Sequence, residues 1–555
     1  VDILNFAVGR HISIPSGFFR EVVRQTRRLQ CNQLMSMNII MVLLVASVQA
    51  ADYTNEDSAY WNKIGTKQLE ETLQRFHSNN YAKNIIIFIG DGMGISTITS
   101  ARIYKGQKRG VGEGEKLSFE TFPTVGLSKT YSVNTQVTDS AASGTALFTG
   151  VKTNNKMIGL NAKAEYNVCK TSDKDLKVDS IMKWAQLAGK DTGIVTKTRI
   201  THATPAACYA HINNRNWECD SVIPPQYRDC VKDIARQLVE DEPGNKFKVI
   251  LGGGGNQMGL KGLSGTIDDG CIRTDSKNLV QRWKNSKNNS VVVTTNKELM
   301  DININNTDYL MGIFSADHMY FAGEKWLKSQ DQPSLVNMTI QAVNILNKNP
   351  NGFVLMIEGG LIDIGHHQNF AKLALEDTLE FEEAVSAAIN LTDKENTLII
   401  VTADHSHTLT INGYPLRGND ILGFASSENV TYETLTYANG PGYKSHTTNN
   451  AHWRNLTNSS VDINDTYYRH FSPVYLSYET HGGEDVAVYA QGPSSHIFSG
   501  VYEENYIAHA ISYAASIGLH AKLREDYNAS ECDTIRLDLF VLLVLDLDND
   551  VVFMT

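Results

Sequence analysis

Ser140, in Thr138-Asp139-Ser140-Ala141, shares its chain with Asp91-Gly92-Met93-Gly94, with Glu358 and Asp363 ahead of His366-His367, with Thr402-Ala403-Asp404-His405 and with Glu479-Thr480-His481. A serine hydroxyl is a poor nucleophile at neutral pH and needs a base or a cation beside it. Carboxylates and imidazoles in this number are the side chains that hold two or three cations. Nucleophile and cage together point to a metal-assisted hydrolase. Singly, each motif has an ordinary explanation: an Asp-Ser pair most often caps a helix, and a histidine-rich pentad most often lies on a solvated helix end. Their coincidence in one chain outweighs those explanations.

Asp363 and His367 are four residues apart, so on a helix they face the same way and can share a zinc ion. Asp404 and His405 are adjacent, which suits a strand end whose two side chains diverge yet reach one cation. Thr138 and Asp139 form a capping signal ahead of the small residues 140–146, predicting a helix that starts at Ser140. Free amides and the positive dipole end at that point favour phosphate oxygens and an alkoxide.

Apolar runs rich in Ile and Val recur at 85–89, 194–196, 248–251, 353–357, 397–401 and 485–489, with helical spacing at 179–188, 334–347 and 371–389. Such alternation predicts an α/β protein: a three-layer αβα sandwich with a large, mostly parallel central sheet covered on both faces. Asp91, Glu358 and Asp404 each follow an expected strand, and open sheets of this class bind ligands beyond the carboxyl ends of their strands. Length alone suggests about three domains at roughly 150 residues each, but the motifs place one catalytic domain over 51–527. Within it, residues 411–478 are rich in Asn, Gly, Tyr, Ser and Thr and read as an irregular, glycosylated surface insertion overhanging the site.

A net charge of −11 argues against nucleic acid as a partner. An acidic surface also repels anionic substrates unless bound cations focus the field locally. Residues 1–50 read as an upstream segment followed by a secretory signal: 1–34 precede the start-like Met35 and Met37, and Asn38 to Ala50 is an apolar run ending in small residues, too short to span a bilayer. A mature chain starting near Ala51 enters an oxidising compartment, where Cys169, Cys208, Cys219, Cys230, Cys271 and Cys532 can pair in connectivities the sequence leaves open. Sequons from Asn288 to Asn528, none within a catalytic motif, agree with export. The tail 528–555 carries a candidate glycosylphosphatidylinositol (GPI) signal, with small residues at Asn528-Ala529-Ser530 and a spacer before a short apolar run, Leu537 to Leu545. The expected location is the secretory pathway and then the extracellular space or the cell surface.

Taken together, the motifs resemble those of metazoan alkaline phosphatases of the secreted or cell-surface type. The likeness covers nearly all of residues 53–520 and rests on Phe88 to Gly94, Val137 to Ala142, Asn214-Arg215-Asn216-Trp217, Val401 to His407 and Thr480 to Val488. It implies phosphate monoester hydrolysis with zinc, twice, and magnesium, once, as cofactors. One zinc would take Asp363, His367 and His481, and the other Asp91, Asp404 and His405 with Ser140 as a replaceable ligand. Magnesium would take Asp91, Thr204 and Glu358, with His202 just outside. This partition obeys ligand hardness, since oxygen-only donors suit Mg²⁺ and imidazoles suit Zn²⁺. The resemblance further implies successive in-line displacements through a phosphoserine on Ser140, with Arg215 offering a planar fork to two phosphate oxygens. An alkaline optimum follows, because metal-activated nucleophiles gain population as pH rises. A Cys169–Cys230 disulfide and a homodimer are likewise family expectations, the dimer using a terminal arm that presents Tyr60 and Trp61.

Several residues depart from the vertebrate pattern. Leu361 and Ile364 replace an Arg and a His, Ser315 and Gln332 stand where a structural calcium site would have carboxylates, and Cys532 lacks its usual neighbour. His318, His366 and His407 lie near motifs without being ligands in that pattern. One rival reading is a superfamily phosphodiesterase or sulfatase, which shares the two-metal cage but not the Ser140 context, Arg215 and the magnesium site. The other is a non-catalytic cell-surface binding protein, which has no reason to retain every ligand.

Overall fold

The computed structural model describes residues 81–168, 174–265, 270–324, 331–427, 430–448, 453 and 462–522, all within the unit Thr72–Thr555. Strands β1 (Asn84–Ile89), β7 (Phe353–Glu358) and β8 (Thr397–Thr402) are buried along their whole length. Successive side chains on a strand point to opposite faces, and here the alternation feeds two separate cores. Ile85, Ile87, Ile89, Val354, Met356, Leu398 and Ile400 enter one, and Ile86, Phe88, Leu355, Ile357, Ile399 and Val401 the other. A strand buried on both faces shows no polar alternation, which is why these runs read as unbroken apolar segments.

The remaining long strands are β2 (Thr124–Lys129), β3 (Asp191–Arg199), β4 (Val249–Gly253), β5 (Ser290–Val293), β6 (Tyr309–Ile313), β15 (Val486–Gln491) and β16 (Gly500–Glu503). Together they make a ten-stranded sheet in the order β16-β2-β15-β8-β1-β7-β3-β4-β6-β5. Only β15 opposes its neighbours, pairing antiparallel with β2 and β8. Helices α1 (Ile95–Arg109), α5 (Leu335–Leu346) and α7 (Ala371–Leu391) cover one face; α2 (Ser140–Thr149), α3 (Ile181–Leu187) and α8 (Tyr506–Ala515) cover the other. The architecture is the expected α/β sandwich. Strands β2 and β16 escaped the sequence reading because each exposes Gly, Val or Ser along its length near a sheet edge, where burial writes no apolar run.

Short pairs complete the fold: β9 (Ser406–His407) with β14 (His481–Gly482), β10 (Thr410–Ile411) with β13 (Leu435–Thr436), and β11 (Phe424–Ser427) with β12 (Val430–Glu433). Within residues 411–478, Ile421, Leu422, Leu435 and Tyr437 form a small core with Ala101 of α1 and with Ala371 and Leu375 of α7. The insertion is thereby tied to the helices beside the site. Among the described residues no helix is long and apolar enough to cross a membrane.

Candidate active site

Adjacent parallel strands bring the chemistry to one edge. In the order β8-β1-β7-β3, Asp404 and His405 follow β8, Asp91 follows β1, Glu358 ends β7, and Thr204 lies in the one-turn helix α4 (Ala203–Ala206) after β3. Neighbouring strands sit about 4.8 Å apart, so side chains from their ends converge on shared space. Helix α2 begins at Ser140 and is capped by Asp139, whose Oδ1 accepts from Ala142 N at 3.3 Å and Lys156 N at 2.9 Å. Helix α6 (Leu361–His367) leaves β7 through two glycines and carries Asp363 and His367 one turn apart. His481 arrives on β14, opposite His407 of β9. The turn after β1 requires Gly92: its φ is +68°, and a Cβ there would lie 2.4 Å from the His407 ring.

Three groups of candidate cation ligands result. The first is Asp91, Asp404 and His405, with His405 Nε2 3.2 Å from Asp404 Oδ2 and 3.5 Å from Asp91 Oδ1. Ser140 Oγ lies 3.1 Å from the same Nε2 and 3.5 Å from Asp91 Oδ1. The second is built on Asp363, whose Oδ1 is 3.3 Å from His367 Nε2, 3.5 Å from His481 Nε2 and 2.6 Å from His407 Nε2. The two groups adjoin, because the His405 and His481 rings stack with centroids 3.5 Å apart. The third is Asp91, His202 and Glu358, with Thr204 Oγ1 3.5 Å from Asp91 Oδ2. Asp91 thus faces two groups, one with each oxygen.

Backbone carbonyls set the imidazole tautomers. His367 Nδ1 donates to Glu479 O at 2.5 Å, His481 Nδ1 to Thr138 O at 2.7 Å and His405 Nδ1 to Ser406 O at 3.3 Å. Each Nε2 lone pair is left for a cation. Arg215 Nη1 donates to Asp139 Oδ2 at 3.0 Å and Nη2 to His202 Nε2 at 3.1 Å, so one aspartate caps the Ser140 helix and holds the guanidinium beside it.

Burial pushes the Asp91 carboxyl well above the usual range, reinforced by Asp404, Asp363 and Glu358. Glu358 is pushed up to about 7, chiefly by burial, and Asp404 is raised for the same reason. Burial also holds His405 and His202 well below the ordinary imidazole value and His367 down at about 4. Asp363 differs: burial would raise it, but His367, His407 and His481 hold it well below the carboxylate range. Glu358 Oε1 is buried without a hydrogen-bond partner. Crowded carboxylates, neutral imidazoles and an orphaned oxygen are a donor set that fits divalent cations.

His407 was missed as a functional residue. It is fully buried, with Nδ1 2.5 Å from Glu479 Oε2 and Nε2 2.6 Å from Asp363 Oδ1. Glu479 and Asp363 push it up to about 10 against the effect of burial, so it is an imidazolium that orients Asp363. The available signal was its spacing: two residues beyond His405 on an extended strand, it faces the same side. His366 turns away instead, between Thr97 Oγ1 at 3.0 Å and Tyr437 OH at 2.8 Å, and His318 lies against Arg199. The Ser315 hydroxyl donates to His318 O at 2.6 Å, and Gln332 Oε1 accepts from Tyr320 N at 3.0 Å.

A cavity of about 710 Å³ opens on these groups, lined by Ser140, His202, Arg215, Asp363, His367 and His481. Tyr478 and Ile364 line it too, the Tyr478 ring 4.4 Å from that of His367. Cys219 is disulfide-bonded to Cys271, which lies on the cavity wall. Cys230 is also disulfide-bonded, Cys208 is a buried free thiol, and Cys169 and Cys532 lie outside the described residues.

The alkaline phosphatase family matches this chain over residues 82–517. The chain belongs to the alkaline phosphatase family. Alkaline phosphatase 4 of Drosophila melanogaster is 47% identical over 497 residues, 83% of this chain and 82% of its own. The tissue-nonspecific isozyme of Homo sapiens is 42% identical, over 83% of this chain and 89% of its own, and the membrane-bound alkaline phosphatase of Bombyx mori 38%, over 85% and 88%. Among solved structures, the alkaline phosphatase of the Antarctic bacterium TAB5 is 25% identical with a TM-score of 0.54, covering 79% of this chain and 99% of that one. As an alkaline phosphatase, the protein is a metal-binding hydrolase, and its buried carboxylates and imidazoles are of the kind such an enzyme requires.

Proposed function

We propose that this alkaline phosphatase hydrolyses phosphate monoesters at alkaline pH through a phosphoserine on Ser140, with zinc at two sites and magnesium at one. The observation that carries the reading is Ser140 Oγ at the start of α2, 3.1 Å from His405 Nε2 and 3.5 Å from Asp91 Oδ1, in a cavity shared with Arg215. Asp363, His367 and His481 are the residues we assign to one zinc, and Asp91, Asp404 and His405, with Ser140, to the other. Magnesium is assigned to Asp91, Thr204 and Glu358, whose donors are all oxygen. His202 spends Nε2 on Arg215 and so carries its proton on Nδ1, which makes it a support for the guanidinium. When bound, the cations supply Lewis acidity and lower the pKa of the oxygens they hold.

Ser140 Oγ forms a bond to phosphorus as the ester P–O bond opposite it breaks; water then attacks the phosphoserine and releases Oγ. The α2 amides and dipole stabilise charge beside Ser140. Arg215, fixed by Asp139, offers its fork to two phosphate oxygens. Turnover of a chromogenic phosphomonoester at neutral and alkaline pH, with and without chelator, tests the reading; activity indifferent to chelator would defeat it.

Arg215→Lys keeps the charge but loses the fork, so KM and the inhibition constant for inorganic phosphate are both expected to rise about tenfold. Steady-state kinetics decide this, and unchanged phosphate inhibition counts against the role. His407→Ala releases Asp363 from its orienting partner and is expected to weaken zinc retention by about 10–100-fold, read by metal analysis after dialysis. Wild-type zinc retention would reduce His407 to a packing residue.

We further read 51–527 as the catalytic domain, 411–478 as its surface insertion, and the protein as a homodimer of the secretory pathway held at the cell surface by a GPI anchor. The Bombyx relative is membrane-bound by name. Residues 1–50, the arm 51–75 and the tail 528–555 lie outside the described residues. Sedimentation of the full chain, and its release from membranes by a phosphatidylinositol-specific phospholipase, test these readings.

A further inference from the structure

The reading of Asp91, Thr204 and Glu358 as a magnesium site leaves open why Glu358 would offer that site one oxygen only. Strand β3 lies beside β7 with Thr196 in register with Glu358. Thr196 Oγ1 donates to Glu358 Oε2, and Thr198 Oγ1 lies 3.0 Å from the same oxygen. The two hydroxyls are 2.8 Å apart, and Thr198 N donates to Thr196 Oγ1 at 2.8 Å, so the pair is braced by its own backbone. Oε1, by contrast, is buried with no partner. One oxygen is fully engaged and the other is bare.

The strand itself is built for this. The β3–β4 register shifts between Val195 and Arg199, placing the irregularity on Thr196-Lys197-Thr198. Bulges of this kind re-aim side chains beside active sites. Lys197, between the threonines, is buried on the other side, with Nζ 2.5 Å from Asp377 Oδ1 and 2.6 Å from Glu380 Oε2 of α7. It clamps the irregular segment to the helix layer. On the threonine side, a Cβ at Gly360 would lie 2.3 Å from Thr198 Cγ2, so the turn after β7 closes directly over the pair.

We infer that Thr196 and Thr198 are positioning residues that hold Glu358 as a one-oxygen ligand and thereby select Mg²⁺ over Ca²⁺. Mg²⁺ demands a near-ideal octahedron at about 2.0–2.1 Å, which a carboxylate enters with a single oxygen. Ca²⁺ is larger, takes more ligands at about 2.3–2.6 Å and readily accepts both oxygens of a carboxylate. With Oε2 held by two hydroxyls, Glu358 cannot turn to chelate. The selectivity is written in residues that never touch the cation.

The test uses the full-length protein and two variants, Thr196→Val with Thr198→Val, and Thr196→Ser with Thr198→Ser. Each is dialysed to equilibrium at fixed zinc against mixtures of Mg²⁺ and Ca²⁺, and bound metals are counted by mass spectrometry. The valine variant, which keeps shape and loses both hydroxyls, is expected to move the Ca²⁺-to-Mg²⁺ binding ratio toward calcium by about tenfold or more, with zinc content unchanged. The serine variant, which keeps both hydroxyls, should match wild type. A valine variant with the wild-type ratio overturns the inference and leaves the magnesium assignment standing. Wild-type protein that binds no magnesium overturns the assignment and the inference together. Should the double valine variant fail to fold, judged by lost zinc and a lowered Tm, Thr198→Val alone is measured, and a wild-type ratio there overturns the inference equally.

Discussion

Ser140→Ala is expected to abolish the phosphoenzyme and to lower kcat by roughly 10³-fold or more, with metal content near wild type. The hydroxyl is the nucleophile of the proposed first step, so its loss leaves only direct attack by water. It is also one donor beside Asp91, Asp404 and His405, which remain. Helix α2 should persist, because its cap is the Asp139 side chain and Ser140 contributes no capping bond. Trapping labelled phosphate on acid-quenched protein, together with metal analysis, reads both halves of the expectation. A labelled serine elsewhere, or metal lost along with activity, would remove Ser140 from the role given to it.

Stripping divalent cations is expected to eliminate turnover, to lower Tm on the order of 10 °C, and to leave a protein whose stability falls as pH rises above about 6.5. The sign follows from which state holds the proton. In the metal-free cage burial keeps Asp91 protonated well above its ordinary value and Glu358 up to about 7. His407 keeps its proton up to about 10, against an ordinary 6.5. Above pH 6.5 the unfolded chain has released all of these protons and the folded chain has not, so each further rise in pH favours unfolding. His367, His405 and His202 are depressed instead, and their opposite contribution is confined below their ordinary 6.5. Asp363 is depressed below 3.8 and acts only in acid. Thermal unfolding of chelated protein at pH 6.5 and at about pH 9 measures the effect. A Tm equal at both values, or higher at the second, would mean that the buried carboxylates are not left uncompensated when the cations go.

The ligand set was legible in the sequence because each member is announced by its immediate neighbours. Asp91 and Asp404 follow apolar runs, Asp363 and His367 share a helical spacing, and Asp139-Ser140 heads a run of small residues. Such signals are local, arising from the strand and helix periods and from capping. The two-sided burial of β1, β7 and β8 was legible for the same reason, since a strand covered on both faces is apolar throughout.

What the tertiary structure decided is everything that depends on strand order and register. Gly92 N donates to Asp404 Oδ1 at 3.0 Å across 312 residues of chain, a contact that exists because β8 happens to lie beside β1. His407 becomes the orienting group of Asp363 only when β9 pairs with β14 and Glu479 is brought behind it. Thr196 and Thr198 are ordinary strand residues until β3 is set against β7 with Glu358 opposite. The Cys219–Cys271 bridge, left open by spacing alone, needed the same long-range placement. Local periodicity carries the identity and direction of each side chain, but which strand ends meet is set by the burial of whole faces, a property no short window of sequence contains.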